Sequence, residues 1–264
     1  MLTTIIFIMN SMLEHLLLFV ISLLANTLSS LAGGGAGLLQ LPVLIFLGLP
    51  FGVALVTHKI ASVALGVGAS LKHLKYGGFQ WQLVTIMIVG ALPGVVIGAN
   101  VILNIPESIA MFSLGCLTIA LGIYSFFKPN LGMHDSLKNL TIKGYLIGAL
   151  GLFLLGILNG SLTSGTGLFV TMWLIHWFGM NYARAVSYTL VMVGILWNGA
   201  GAVTLALLET VQWSWLPALI LGSLIGGYFG AHLAIEKGNT LVKRTFELMT
   251  VITGLALLIK AVNV

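Results

Sequence analysis

Two clusters of this chain carry the residue types that hold a small charged molecule. The first is Gly33, Gly34, Gly35 and Gly37 in the run Leu31-Ala-Gly-Gly-Gly-Ala-Gly37. The second, about 130 residues later, is Asn159, Ser161, Thr163, Ser164, Gly165 and Thr166, ending in Ser161-Leu-Thr-Ser-Gly-Thr-Gly167. Glycines release the backbone from helical pairing and leave its amide N–H groups uncovered. At the start of a following helix those amides and the helix dipole attract an anion. The hydroxyls and amide of the second cluster would complete such a shell. Between the clusters stand Gln40, just after the first, and Thr57-His58-Lys59, about two turns into the next apolar run. An ammonium at that depth is costly unless it faces a cavity, a ligand or a counter-charge, or snorkels to the surface. The spacing therefore predicts an anion site built from the two clusters, with Gln40, Thr57, His58 and Lys59 beside it.

Other chemistry is poorly supported. A single cysteine, Cys116, excludes an internal disulfide and a thiolate metal cluster, and its apolar run predicts a small packing residue. No Asp or Glu falls near the middle of an apolar run, which argues against a divalent metal and against a carboxylate proton relay. The serines near Gly160 and Gly165 have no histidine at dyad spacing, leaving only a distant partner such as His232 for an enzyme. No cofactor and no nucleic acid are called for. The alternatives that remain are an anion channel, and a transporter of another small anion or of a monovalent cation. The absence of such carboxylates leaves a uniporter, H⁺ coupling through His58 or Lys59, or an Na⁺ site built from carbonyls and hydroxyls; contact with membrane lipid is expected.

The elements that must position these residues are membrane helices. With 59% apolar and 6% charged residues in 264, most of the chain cannot face water. Nothing alternates as barrel strands do, so the fold class is an all-α integral membrane protein. Met1-Leu-Thr-Thr-Ile-Ile lacks basic residues ahead of the apolar run, so the first helix is expected to stay rather than be cleaved. About ten spanning or half-spanning helices are expected, at 13–32, 38–48, 53–72, 81–103, 107–127, 143–160, 167–178, 183–206, 213–234 and 240–261. The segment 38–48 reaches only about 16 Å as a helix and cannot cross alone.

The halves resemble each other. An offset of 132 places Gln80-Trp81 on Gln212-Trp213, and Gly90, Gly94 and Gly98 on Gly222, Gly226 and Gly230. With five segments each, the halves must run through the membrane inverted. Residues 1–127 form the first repeat, 128–142 a cytoplasmic linker and 143–264 the second repeat. The glycine stripes predict close helix packing. With both termini outside, Lys72, Lys75, Lys128, Lys138, Lys143, Arg184, Lys237, Lys243 and Arg244 lie inside, leaving Lys59 and Lys260 toward the outer side. Broken apolar segments at matching places in inverted halves mark the binding site of a secondary transporter.

The motif Leu31-Ala-Gly-Gly-Gly-Ala-Gly-Leu38 with Pro42, the stretch Gly48-Leu-Pro-Phe-Gly-Val-Ala54 leading into Thr57-His-Lys59, and Tyr76-Gly77-Gly78 resemble the sulfite exporter TauE/SafE family. The resemblance covers both halves, although the second lacks a copy of the Thr-x-Lys segment. It implies an inner-membrane transporter, often an exporter, of sulfur-containing anions such as sulfite or organosulfonates. It also implies that Gly33, Gly34, Gly35 and Gly37 form the substrate turn with Thr57 and Lys59 beside it. His58 stands where the family leads one to expect Asn or Ser.

Overall fold

The computed structural model describes residues 2–34, 36–73, 79–102, 106–163 and 165–262. Among them every regular element is a helix. They are α1 (Leu2–Ala32), α2 (Ala36–Phe46), α3 (Phe51–His73), α4 (Trp81–Val101), α5 (Glu107–Phe126), α6 (Ile142–Leu162), α7 (Thr166–Phe178), α8 (Tyr182–Ala206) and α9 (Leu216–Val262). Six are long and apolar enough to cross a membrane: Met12–Ala32 within α1, and α3, α4, α6, α8 and α9. α2 has 11 residues and α7 has 13, so at about 1.5 Å rise per residue neither spans.

The ends of these helices follow from local chemistry. Thr141 accepts from the Gly144 amide at 3.2 Å and starts α6, and Asn181 accepts from the Arg184 amide at 2.8 Å and starts α8. Gly179 in the left-handed region closes α7. α9 is interrupted at Gly238, with φ 75° and ψ −173°, which divides it into arms 216–237 and 239–262. That break falls between the expected segments 213–234 and 240–261. α1 begins at Leu2, well before the expected residue 13.

The glycine stripes do pack helices together, and they do so across the halves. On α4, Gly94 and Gly98 lie under the carbonyls of Phe153 and Ile157 of α6, while Gly156 and Gly160 of α6 lie under those of Ala91 and Val95. On the first arm of α9, Gly222, Gly226 and Gly230 lie under the carbonyls of Phe19, Leu23 and Thr27 of α1. Small residues permit this approach, which brings backbone atoms into dispersion contact where lipid offers no hydrophobic gain. α9 also packs on α3 and α5.

α3 and α8 are the buried centre. A methyl group at Gly194 would sit 2.8 Å from the Gly66 Cα, so the two backbones touch. Here α8 widens into a π-helical stretch, Met192–Trp197, a local change of pitch that recurs at functional sites. Trp197 at its end donates its indole N–H to the Met87 carbonyl of α4 at 2.9 Å.

Candidate functional site

The two glycine-bearing clusters are both backbone breaks, and they meet. After α1 the chain passes through Gly33 (φ 83°) and Gly34 (φ 139°), conformations that a side chain resists, before α2 begins. After α6 it passes through Thr163 (φ 57°) and Gly165 (φ 74°) before α7 begins. A Cβ at Gly34 would lie 2.6 Å from the Gly167 Cα, and one at Gly167 would lie 2.8 Å from the Gly34 Cα. The Thr171 hydroxyl of α7 donates to the Gly33 carbonyl at 2.9 Å and shares a 2.9 Å hydrogen bond with Thr189 of α8. One break is therefore tied to the other by backbone contact and by a side-chain bond.

A small cavity opens at this junction. Its walls come from the end of α1 (Ser29, Gly34), the start of α2 (Ala36, Gly37) and α3 (His58, Ser62, Leu65). The rest comes from the second break (Asn159, Thr163, Thr166, Gly167) and α8 (Thr189, Leu190, Val193, Gly194, Asn198). The first turns of two short helices therefore border one space. The positive ends of two helix dipoles thus fall on a space whose lining has no Asp, Glu, Lys or Arg side chain. Some amides are already satisfied: Ala36 donates to Ser29 Oγ at 2.9 Å, and Leu168 donates to the Gly165 carbonyl at 2.9 Å.

The expected site residues separate into two layers. Gly34, Gly37, His58, Asn159, Thr163 and Thr166 border the cavity. Gly33 and Gly165 shape the turns, and Ser161 donates back to the Ile157 carbonyl at 2.9 Å. Thr57 accepts from the Gln212 amide at 3.1 Å, anchoring the connection before α9 rather than facing the cavity. Gln40 stands behind His58. Gly35 and Ser164 lie outside the described residues.

Gln40 has a specific task there. The Ser22 hydroxyl donates to the Leu219 carbonyl at 2.7 Å, so toward Gln40 Nε2 at 3.1 Å it accepts. Gln40 Oε1 then faces His58 Nδ1 at 2.8 Å, which must donate, and His58 Nε2 accepts from the Ser62 hydroxyl at 3.1 Å. The imidazole is held at both nitrogens while its ring borders the cavity.

Lys59 is fully buried and donates to the Asn159 carbonyl at 2.8 Å. Its nitrogen points inward, so snorkelling is excluded, but it supports the second break from behind instead of standing at the cavity wall. Asn159 thereby collects three restraints: Lys59 and the Thr163 hydroxyl (3.0 Å) on its carbonyl, and Thr166 Oγ1 (3.0 Å) on its side-chain nitrogen.

Ser29, Ser62, Thr171, Thr189 and Asn198 complete the junction, and sequence reasoning left the first four out. Ser62 lies four residues after His58, one turn along the same face, a spacing that was available as a signal. Asn198 Oδ1 lies 3.4 Å from Asn159 Nδ2, bridging α8 and α6, and Asn198 also borders the cavity.

Several charged groups elsewhere are paired. Arg184 meets Asp135 at 3.3 Å, Lys243 meets Glu247 one turn along at 3.4 Å, and His232 lies 3.6 Å from Glu236. His176 takes part in a 3.1 Å bond with Tyr124 beside a larger apolar cavity among α5, α6 and α7. Cys116 corrects the expectation of a packing residue: it is exposed on α5, on the outside of the bundle. Among the described residues no group of histidines, cysteines or carboxylates is placed to hold a metal.

A family described as "Sulfite exporter TauE/SafE" matches residues 18–257. The chain is 28% identical over 234 residues to a "Probable membrane transporter protein" of Haemophilus influenzae, covering 89% of this chain and 90% of that one. It is 26% identical to "Probable membrane transporter protein ORF9" of Sinorhizobium sp, covering 95% of each. It is 24% identical to "Probable membrane transporter protein YfcA" of Escherichia coli, covering 91% and 88%. No solved structure matches. With the family match running over nearly its whole length and six apolar helices long enough to span, this multi-pass membrane protein belongs to the sulfite exporter TauE/SafE family.

Proposed function

We propose that the protein is a secondary transporter, an exporter, of a small sulfur-containing anion such as sulfite or an organosulfonate, and that the anion binds where the two breaks meet. The observation that carries this reading is the backbone contact of Gly34 with Gly167, which sets the first turns of α2 and α7 on one cavity. The Gly167 amide would face the negative oxygens, while Thr163 and Thr166, whose hydroxyl hydrogens go to the carbonyls of Asn159 and Thr163, would hold the second break in shape around it. His58 would border the anion, with Gln40 fixing its ring. Lys59 would act on the site through Asn159. No cofactor is needed and no bond is made or broken.

Alternating access would come from two units, residues 1–127 and 143–264, joined by 128–142 and lying inverted in the cell inner membrane with both termini outside. Counting the arms of α9 separately gives five segments to each unit. The exchange of glycine stripes supports this arrangement: those of the first unit pack on α6, and those of the second pack on α1. Transport coupled to H⁺ or Na⁺ would set the direction.

Thermal stabilisation of the purified protein by sulfite, sulfate, thiosulfate, sulfoacetate, taurine and acetate tests the site. A ligand at a hundred times its dissociation constant stabilises by about 2.7 kcal/mol. One sulfur anion should stabilise the native protein and Arg184→Ala, and act much less on Thr166→Val. Stabilisation by none of them, or equal action on Thr166→Val, would overturn the assignment.

A further inference from the structure

The hydrogen-bond bookkeeping around Asn159 carries one step more, resting on the anion site proposed above. Thr166 has a single hydroxyl hydrogen, and it goes to the Thr163 carbonyl at 2.9 Å. Toward Asn159, Thr166 Oγ1 can therefore only accept, so the side-chain nitrogen of Asn159 is the atom facing it at 3.0 Å. The side-chain oxygen is thereby turned the other way. Asn159 is 1% exposed and borders the cavity, and its Oδ1 is buried with no hydrogen-bond partner among the described residues. Buried acceptors are almost always satisfied, and one left over at a cavity wall calls for a donor.

An anion held only by its negative oxygens cannot satisfy it. Oxygen against Oδ1 is repulsive. A monovalent cation fits poorly too, because the oxygens beside Oδ1 are already in use. The Thr163 carbonyl accepts from the Thr166 hydroxyl and from the Thr166 amide at 3.3 Å. The Asn159 carbonyl accepts from Thr163 and from the Lys59 ammonium at 2.8 Å, a group that itself repels a cation.

We propose that the transported anion carries its own hydrogen-bond donor, a protonated oxygen or an N–H, which it gives to Asn159 Oδ1 while its negative oxygens face the amides of α2 and α7. The site would then select against anions of the same size and charge that offer only acceptors. Sites built to meet a substrate donor reject analogues lacking it far more strongly than apolar pockets reject a size change.

Sulfamate and methanesulfonate make the test. Both are tetrahedral monoanions of nearly equal size, and they differ in NH₂ against CH₃. Dissociation constants are measured on the full-length purified protein in choline buffer and again in sodium. Sulfamate should bind at least tenfold more tightly, and Asn159→Leu should bring the two within about twofold of each other. Equal affinities in the native protein would overturn the donor requirement while leaving the anion site standing. So would sodium raising methanesulfonate to the affinity of sulfamate, since a cation would then be meeting Oδ1. Binding of neither anion would overturn the anion site itself. The native comparison needs no variant, so a poorly folded Asn159→Leu leaves the test intact.

Discussion

The two breaks perform the same backbone operation with opposite chemistry. The first is made of glycines alone, with φ of 83° and 139° at Gly33 and Gly34, and it borrows its side-chain partners: Ser29 from the helix before it and Thr171 from α7. The second satisfies itself. Thr163 bonds Asn159, Thr166 bonds Thr163, and Asn159 bonds Thr166. One break is bare backbone, and the other is a closed ring of side chains with one amide oxygen left over, Asn159 Oδ1. If the halves are inverted copies, their symmetry is one of backbone path, and the asymmetry of their side chains is what can tell one ligand from another.

Substitutions that break this contrast rank by what each break depends on. Gly34→Ala should have the largest effect, because it places a methyl group 2.6 Å from Gly167 at a φ that side chains avoid. Overpacking together with backbone strain should cost about 3 kcal/mol in thermal unfolding, and ligand stabilisation should vanish. Thr166→Val comes next: it removes the donor to Thr163 and the acceptor for Asn159, at about 1–2 kcal/mol and with weakened anion binding. Gly48→Ala sharpens the comparison. Gly48 has φ 100° but nothing within 4 Å, so only backbone strain remains, about 1 kcal/mol, with binding unchanged. Lys59→Met should have the smallest effect on stability, under about 1 kcal/mol, since removing a buried ammonium also removes its desolvation cost. If Lys59 acts through Asn159, anion affinity should nonetheless fall in that variant, and a variant binding like the native protein would remove Lys59 from the account.

Much of this was legible in the sequence, for identifiable reasons. Apolar runs bounded by Lys128, Thr141, Asn181 and Gly179 give their helices away because caps and charges are local signals. The short segment at 38–48 and the broken turns were readable because too few apolar residues and too many glycines contradict a continuous span. What could not be read was depth of layer. Gln40, Thr57 and Lys59 are polar residues in apolar helices, which marks them as buried, but whether they face a cavity or brace what does depends on partners over a hundred residues away: Asn159 for Lys59 and Gln212 for Thr57. Ser29, Thr171 and Thr189 were missed for the same reason. Cys116 failed in the other direction, because an apolar run inside a membrane protein has lipid-facing positions that look like core.

The most direct test of the central claim is anomalous diffraction from crystals of the native protein grown with selenite, whose pyramidal shape and charge match those of sulfite. The account predicts one selenium peak between the first turns of α2 and α7, bounded by Gly37, Gly167 and Asn159. A peak only at an exposed basic group such as Lys237, with nothing at the junction of the two breaks, would contradict it.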